Sequence, residues 1–196
     1  MRLNFSTKVV GKNTILVPYR EHHVPKYHTW MRSEELQKLT ASEPLTLEEE
    51  YKMQKTWQED DDKCTFIILD KHKYDQKHDE NDSMIGDTNI FITDNDSKVG
   101  EIEIMIAEES ARGSKRGWEA VILMLLYGIK FIKIKTFEAK ISIENNISIN
   151  MFKKLDFKDK SRSEIFQEVT LEKVVDNDWT KSLEGHFVFH LCNLPD

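Results

Sequence analysis

With 196 residues, 39% of them apolar and 32% charged, the chain is long enough to bury the core of one globular domain and is too apolar to be disordered. A net charge of −7 speaks against nucleic acid as a partner, although it leaves room for a local basic pocket. Cys64 and Cys192 form neither a zinc spacing nor a disulfide framework, residues 1–8 lack the apolar run expected of a signal peptide, and the longest apolar run is far short of a bilayer span. The expectation is therefore a cytoplasmic protein, the nucleus left open, with no membrane partner.

The first strand is predicted over residues 14–17, ended by Pro18. Residues 21–33 read as an amphipathic helix with Val24, Tyr27, His28 and Met31 on one side, and Pro25 fits only in its first turn. Thr46 is an N-cap with Glu49 three residues on, a capping box for a helix through Trp57 that the acidic run 59–62 closes. Short apolar strands follow over 65–69 and 84–93, able to pair as neighbours. The charged stretch 70–83 between them reads as a mobile insertion loop. After a turn over 94–98, a strand places Ile102, Ile104 and Ile106 on one face and Glu101, Glu103 and Met105 on the other. A helix with Trp118, Val121, Ile122, Leu125, Ile129 and Ile132 at helical spacing comes next, apolar on most sides and hence buried against a sheet. A strand over 136–141, a helix over 145–155 and a strand over 165–173 with Ile165, Gln167, Val169 and Leu171 on one face complete the pattern. The order β-α-α-β-β-β-α-β-α-β describes an α/β fold, a mixed central sheet with helices on both faces. One domain is expected over 1–175, and 176–196 form a tail whose apolar segment 187–191 offers a docking patch.

The junction over 112–117 carries the clearest chemistry. Strand runs into Arg112-Gly113-Ser114-Lys115-Arg116-Gly117 and then directly into the apolar helix, so free N–H groups, the positive end of a helix dipole and three cations meet at one point. That combination suits a phosphate or pyrophosphate. A P-loop is excluded, because no Lys-Ser/Thr pair follows the second glycine. His186 and His190 lie four apart, as metal ligands on a helix would, but no third ligand accompanies them, and no metal is expected.

In the order of its elements and in these motifs the chain resembles the GCN5-related N-acetyltransferase superfamily, in the branch related to the ribosomal-protein N-terminal acetyltransferases. The resemblance covers roughly residues 1–173. The runs at 1–4, 33–37, 39–47, 57–60, 100–103 and 105–108 tie it to a narrower group within that branch. It implies acetyl-CoA as co-substrate, a strand pair splayed at a bulge, and main-chain groups of Met105, Ile106 and Ala107 free to pair with the pantetheine arm. It also implies a pyrophosphate wrapped by Arg112, Gly113, Ser114, Lys115, Arg116 and Gly117, and a following helix on which Asn145, Ser148, Phe152 and Lys154 fit a second pattern. Three positions depart from the pattern. Lys115 replaces the middle glycine of the turn, Glu109 replaces a proline, and Phe152 stands where the family often has a proton-donating tyrosine. If Lys115 needs a positive φ, its side chain costs about 1 kcal/mol; the expectation is that the turn settles without a left-handed residue there.

Acetyl transfer to an amine needs a neutral nucleophile and a polarised thioester carbonyl. A free α-amine titrates near pH 8, so a modest base acting through water suffices. Glu101 and Glu103 share the face beside the expected splay, and Glu103, nearer the expected bulge, is the preferred base, with Asn145 on the helix side. The structural alternatives are an ordinary half-exposed charge for Glu103 and an N-cap for Asn145. Trp30, Tyr51 and Trp57 belong to early helices that shape the acceptor groove in the family. The expected function is acetyl transfer from acetyl-CoA to a protein or peptide amine, foremost an N-terminal α-amine. The alternative is a CoA- or protein-binding module with little turnover.

Overall fold

The computed structural model describes residues 2–187 and 190–193. Among the described residues nine strands form one sheet, and helices cover both faces. A hairpin of β1 (Thr7–Val10) and β2 (Thr14–Pro18) opens the chain. A short 3-10 turn then runs into α1 (Val24–Met31), with Pro25 in its first turn as expected. The helix foreseen over 21–33 stops early: Ser33 caps a separate α2 (Glu34–Thr40) by accepting from the Leu36 N–H. Thr46 and Glu49 form the predicted capping box of α3 (Leu47–Glu59).

β3 (Lys63–Asp70) and β4 (Met84–Asp94) pair antiparallel, as foreseen. The stretch between them departs from expectation. In place of a loop it holds α4 (Lys71–Lys77) and α5 (Glu80–Ser83), and the caps account for both. Asp70 accepts from the N–H groups of His72 and Lys73, and Asp79 accepts from Asp82. No residue of α4 is buried, so a search for an apolar face passes over it.

β5 (Val99–Ile106) continues the sheet, and α6 (Arg116–Tyr127) follows, prolonged by a wider helical turn to Ile132. All of α6 from Glu119 to Tyr127 is buried. Glu119, the charge in this apolar helix, accepts from the Asn13 N–H (2.8 Å), the Asn13 Nδ2 (2.8 Å) and the Thr14 N–H (3.2 Å), so it ties the β1–β2 turn to the core. The chain ends with β6 (Thr136–Ser142), α7 (Asn146–Lys154), β7 (Lys158–Ser163), β8 (Glu168–Val174), α8 (Asn177–His186) and β9 (His190–Asn193).

Strand order is β7-β8-β6-β5-β4-β3-β2-β1-β9, with β5–β6 the parallel pair. Inward-facing Ile102, Phe137, Ala139 and Leu171 pack under α6, α7 and α8 on one face. On the other, Ile67, Leu69 and Met105 pack under α1 to α3. β8 begins three residues later than predicted. Ile165 and Phe166 sit in the β7–β8 turn, 88% and 75% exposed, so the apparent alternation had run across a hairpin. The tail is part of the body: Trp179 and Leu183 join the core and β9 pairs with β1. Of the apolar segment, Phe187 packs on the core, and residues 188–189 lie outside the described residues.

Candidate active site

β5 supplies the centre of the site through its main chain. The Lys98 carbonyl accepts from the Lys135 and Thr136 N–H groups, so even-numbered residues of β5 turn their main-chain groups toward β6. β6 stays in register only from Val99 to Glu101 and then diverges, leaving the edges of Ile104 and Ile106 without a strand partner. Odd-numbered residues point the other way. The Ala107 N–H bonds the Ile85 carbonyl at 2.9 Å, and the Glu103 carbonyl accepts from Thr88 Oγ1 at 2.7 Å. Of Met105, Ile106 and Ala107, expected to offer free groups, Ile106 alone faces the open edge, and Ile104 joins it. The β4–β5 register is unbroken past Glu103, from Gly86 to Ile92 on β4. Two residues against one, as at a bulge, occur further on, where the Ile85 carbonyl accepts from both Ala107 and Glu108.

A cleft of about 400 Å³ opens at the divergence, lined by Glu101, Glu103 and Met105 from β5 and by Asn145, Ser148 and Phe152 from the α7 side. The predicted residues on these two elements thus meet across one space. Glu103 is half exposed, with Lys63 Nζ at 4.0 Å, and that ammonium lies 4.0 Å from the Trp57 ring centroid. Glu101 is buried and accepts from Lys140 Nζ at 2.6 Å. Asn145 is an N-cap, its Oδ1 accepting from the Ser148 N–H at 3.0 Å, which leaves its amide nitrogen for other work. Phe152 lines the cleft, is 2% exposed and packs edge-on against the core ring of Phe157.

The turn beyond β5 has left-handed backbone at two positions, Gly113 (φ 70°) and Lys115 (φ 62°). The expectation that Lys115 escapes this conformation is therefore corrected: α6 begins at Arg116, and the chain must reverse into it within one residue. Arg112 Nε donates to the Ile106 carbonyl at 3.0 Å and its Nη1 reaches Glu35 at 3.1 Å, while Arg116 pairs with Asp70 at 2.8 Å. Both arginines are thus anchored rather than loose. The turn still suits a pyrophosphate. The first N–H groups of α6 have no carbonyl within the helix. Arg116 Nε is buried without a hydrogen-bond partner, and a Cβ on Gly113 would meet nothing within 4 Å, so approach from that side is open. Ser114 is committed elsewhere, its Oγ donating to the Ala111 carbonyl.

Sequence reasoning passed over the polar floor of the cleft. Asp87 and Asn89 on β4 are 5% and 3% exposed, and burial, with the Glu103 carboxylate beside it, pushes the Asp87 carboxyl up to about 7. Two polar residues at alternate positions in an otherwise apolar strand were the available signal. The histidine pair 186 and 190 does not share a helix: α8 ends at His186 and His190 lies on β9. Among the described residues His22, His23 and Glu80 come closest to a metal-ligand set. His23 Nδ1, however, accepts the Arg20 N–H at 3.1 Å, so Nε2 keeps its proton, donates it to Glu80 at 3.0 Å and has no lone pair for a metal.

The comparisons agree with this geometry. The family described as Acetyltransferase (GNAT) domain matches residues 13–158. The chain is 52% identical over 193 residues to the human protein named Alpha/beta-tubulin-N-acetyltransferase 9, covering 95% of this chain and 93% of that one. To the Drosophila melanogaster protein of the same name it is 50% identical over 189 residues, covering 94% of each. A spermidine N-acetyltransferase from Vibrio cholerae, determined in complex with CoA and spermine, shares the fold with a TM-score of 0.69 at 14% identity, over 83% of this chain and 95% of that one. The narrower group that the sequence runs resemble is thus the N-acetyltransferase 9 group. With the diverging strand pair, the cationic turn and a family match over most of its length, this chain belongs to the GNAT family of acetyl-CoA-dependent N-acetyltransferases.

Proposed function

We infer that this enzyme acetylates the N-terminal α-amine of a protein, with α- and β-tubulin the first candidates because its relatives at 52% and 50% identity carry that name. The observation that carries the reading is the cleft at the β5–β6 divergence, with an acidic floor and with β5 leading on from it to the cationic turn. Acetyl-CoA, when bound, supplies an activated acyl thioester. On this side the open main-chain edges of Ile104 and Ile106 align its pantetheine arm. Arg112, Gly113, Ser114, Lys115, Arg116 and Gly117 hold the pyrophosphate, and Asn145, Ser148 and Phe152 bound the arm from α7. The Ile106 N–H polarises the thioester carbonyl. Glu103, half exposed at the cleft mouth, draws the cationic acceptor in. Two unpaired cysteines, Cys64 buried and Cys192 exposed, fit a reducing cytoplasm.

The test is direct. The protein is incubated with acetyl-CoA and tubulin N-terminal peptides whose α-amine is free or blocked, and products are read by mass spectrometry. Acetylation of the free α-amine with lysine side chains untouched is expected. Acetylation of lysines alone, or none while a known N-terminal acetyltransferase works beside it, overturns the reading.

A further inference from the structure

The floor of the cleft holds polar groups that neither the sheet nor the family pattern uses. Asp87 and Asn89 stand two residues apart on β4 and share one face. The register sets Asp87 between Ile67 on β3 and Met105 on β5, and Asn89 between Thr65 and Glu103. The Asn89 amide favours the ionised Asp87 carboxyl beside it, while Asn89 Oδ1 is buried with no hydrogen-bond partner. Native interiors rarely leave an acceptor in that state, and Asn89 is one of the residues that line the cleft. An acceptor without a donor, next to a buried carboxyl, calls for a ligand rich in N–H groups. A primary ammonium brings three and a positive charge.

We propose that Asp87 and Asn89 form the subsite for the acceptor's primary amine, Asn89 Oδ1 accepting one of its N–H groups and Asp87 removing a proton from it. The assignment rests on the reading of the chain as an amine acetyltransferase. It moves proton removal from Glu103, favoured on sequence grounds, to a residue on the neighbouring strand. One N–H bond of the ammonium breaks and one O–H bond forms on the Asp87 carboxyl, leaving the lone pair on nitrogen to form the N–C bond as the thioester C–S bond breaks; the second N–H proton leaves with the departing thiolate, which is released as the thiol. The proton returns to solvent through the cleft once the neutral amide has left. Burial and Glu103 on β5 raise the Asp87 carboxyl, while Lys63 on β3 and the Asn89 amide restrain it, with the result near 7. Tyr27 on α1 and Tyr19 after β2 also face it. Burial holds both phenols well above their ordinary value, and they stay neutral at working pH, while Glu50 on α3 acts on the two tyrosines. A base near 7 facing an amine near 8 exchanges a proton with little driving force in either direction, which suits general base catalysis.

The experiment compares wild type with Asp87→Asn, Asn89→Leu, Glu103→Gln and Lys63→Met, each checked for a cooperative melt. Without acetyl-CoA, calorimetry measures binding of the pentapeptide Met-Ala-Gly-Gly-Trp with a free or an acetylated α-amine, and carbon NMR follows the Asp87 carboxyl against pH. The free amine should bind wild type at least about tenfold tighter than the blocked one, and both floor variants should bring that ratio near one. With acetyl-CoA, Asp87→Asn should lower kcat/KM at pH 7 about a hundredfold and erase its rising limb. Asn89→Leu should raise KM more than it lowers kcat. Glu103→Gln should keep the limb and move it to lower pH, and Lys63→Met should move it up. Equal binding of free and blocked peptide by wild type, or loss of the limb in Glu103→Gln with Asp87→Asn unaffected, overturns the subsite. If wild type acetylates no amine, the functional reading fails, while the binding ratio and the carboxyl titration still decide for or against the subsite.

Discussion

Replacing Lys115 with glycine separates two effects that act at one position. Lys115 sits at φ 62° and ψ 7°, immediately before α6, whose buried side chains fix where the helix starts. The left-handed backbone is therefore demanded by the fold, and a Cβ there costs about 1 kcal/mol or somewhat more. That strain is charged to folding, so glycine should raise Tm by about 3 °C for a chain of this length. Binding responds to the other effect. The exposed ammonium lies at the helix N-terminus beside Arg112 and Arg116, both already engaged by Glu35 and Asp70. Losing it should weaken acetyl-CoA binding by up to about fivefold at low salt, equivalent to about 1 kcal/mol, and by much less at 0.5 M or so, where screening shortens the reach of the charge. Differential scanning calorimetry reads the first effect and titration calorimetry at two salt concentrations reads the second. Arg112→Ala should weaken binding in both salts, because it also releases the Ile106 carbonyl. A Tm that falls, or an affinity that rises tenfold in the glycine variant, would refute the division of labour.

Glu119→Ala should strip the buried Thr14 N–H and two part-buried Asn13 donors of their acceptor and lower stability by about 2 kcal/mol, seen as a matching loss in urea denaturation. Gly86→Ala should prevent cooperative folding, since the new Cβ would lie 1.9 Å from the Met105 carbonyl oxygen; Gly113→Ala, with open space but φ 70°, should cost only about 1 kcal/mol. The Asp87 carboxyl, moved from an ordinary 3.8 to about 7, binds its proton more tightly in the folded state. The stability this provides is complete below pH 3.8 and is lost as pH rises through 7, at about 1.4 kcal/mol per pH unit. Thermal melts should therefore show Asp87→Asn gaining up to roughly 3 kcal/mol on wild type between pH 5 and pH 8. A pH-independent difference would place Asp87 in a more solvated setting.

Elements with an apolar face were legible in the chain, and those held by caps or ladders were not. β7 reads Lys-Asp-Lys-Ser-Arg-Ser, with no buried residue, and exists because β8 offers it a hydrogen-bonding edge. α4 and α5 rest on Asp70 and Asp79, caps that a scan for hydrophobic period does not weigh. The site divides in the same way. Side chains on β5 and α7 were found through their motif, but which main-chain groups lie free depends on the ladder's parity, and parity is set by β6 leaving after Glu101. Asp87 and Asn89 escaped because their significance comes from the strand beside them. Only the β4–β5 register brings Asn89 opposite Glu103.

The same register explains how a chain of net charge −7 can present a site for a polyanion. Charge is not spread evenly between the turn and the cleft. At the turn, Arg112 and Arg116 are paired with Glu35 and Asp70, Lys115 is matched in the count by Glu109, and the free N–H groups of the helix end supply the positive pole. At the floor, Asp87, Glu101, Glu103 and Glu168 face only Lys63 and Lys140. The floor and the turn thus differ in charge, and the two reactants of an acetyl transfer carry opposite charge. A polyphosphate is repelled from the floor and an ammonium from the turn, so the field sorts the reactants to opposite ends before any specific contact forms. The overall negative charge helps with this sorting, because it confines favourable potential for an anion to the one place where backbone N–H groups and anchored arginines can receive it.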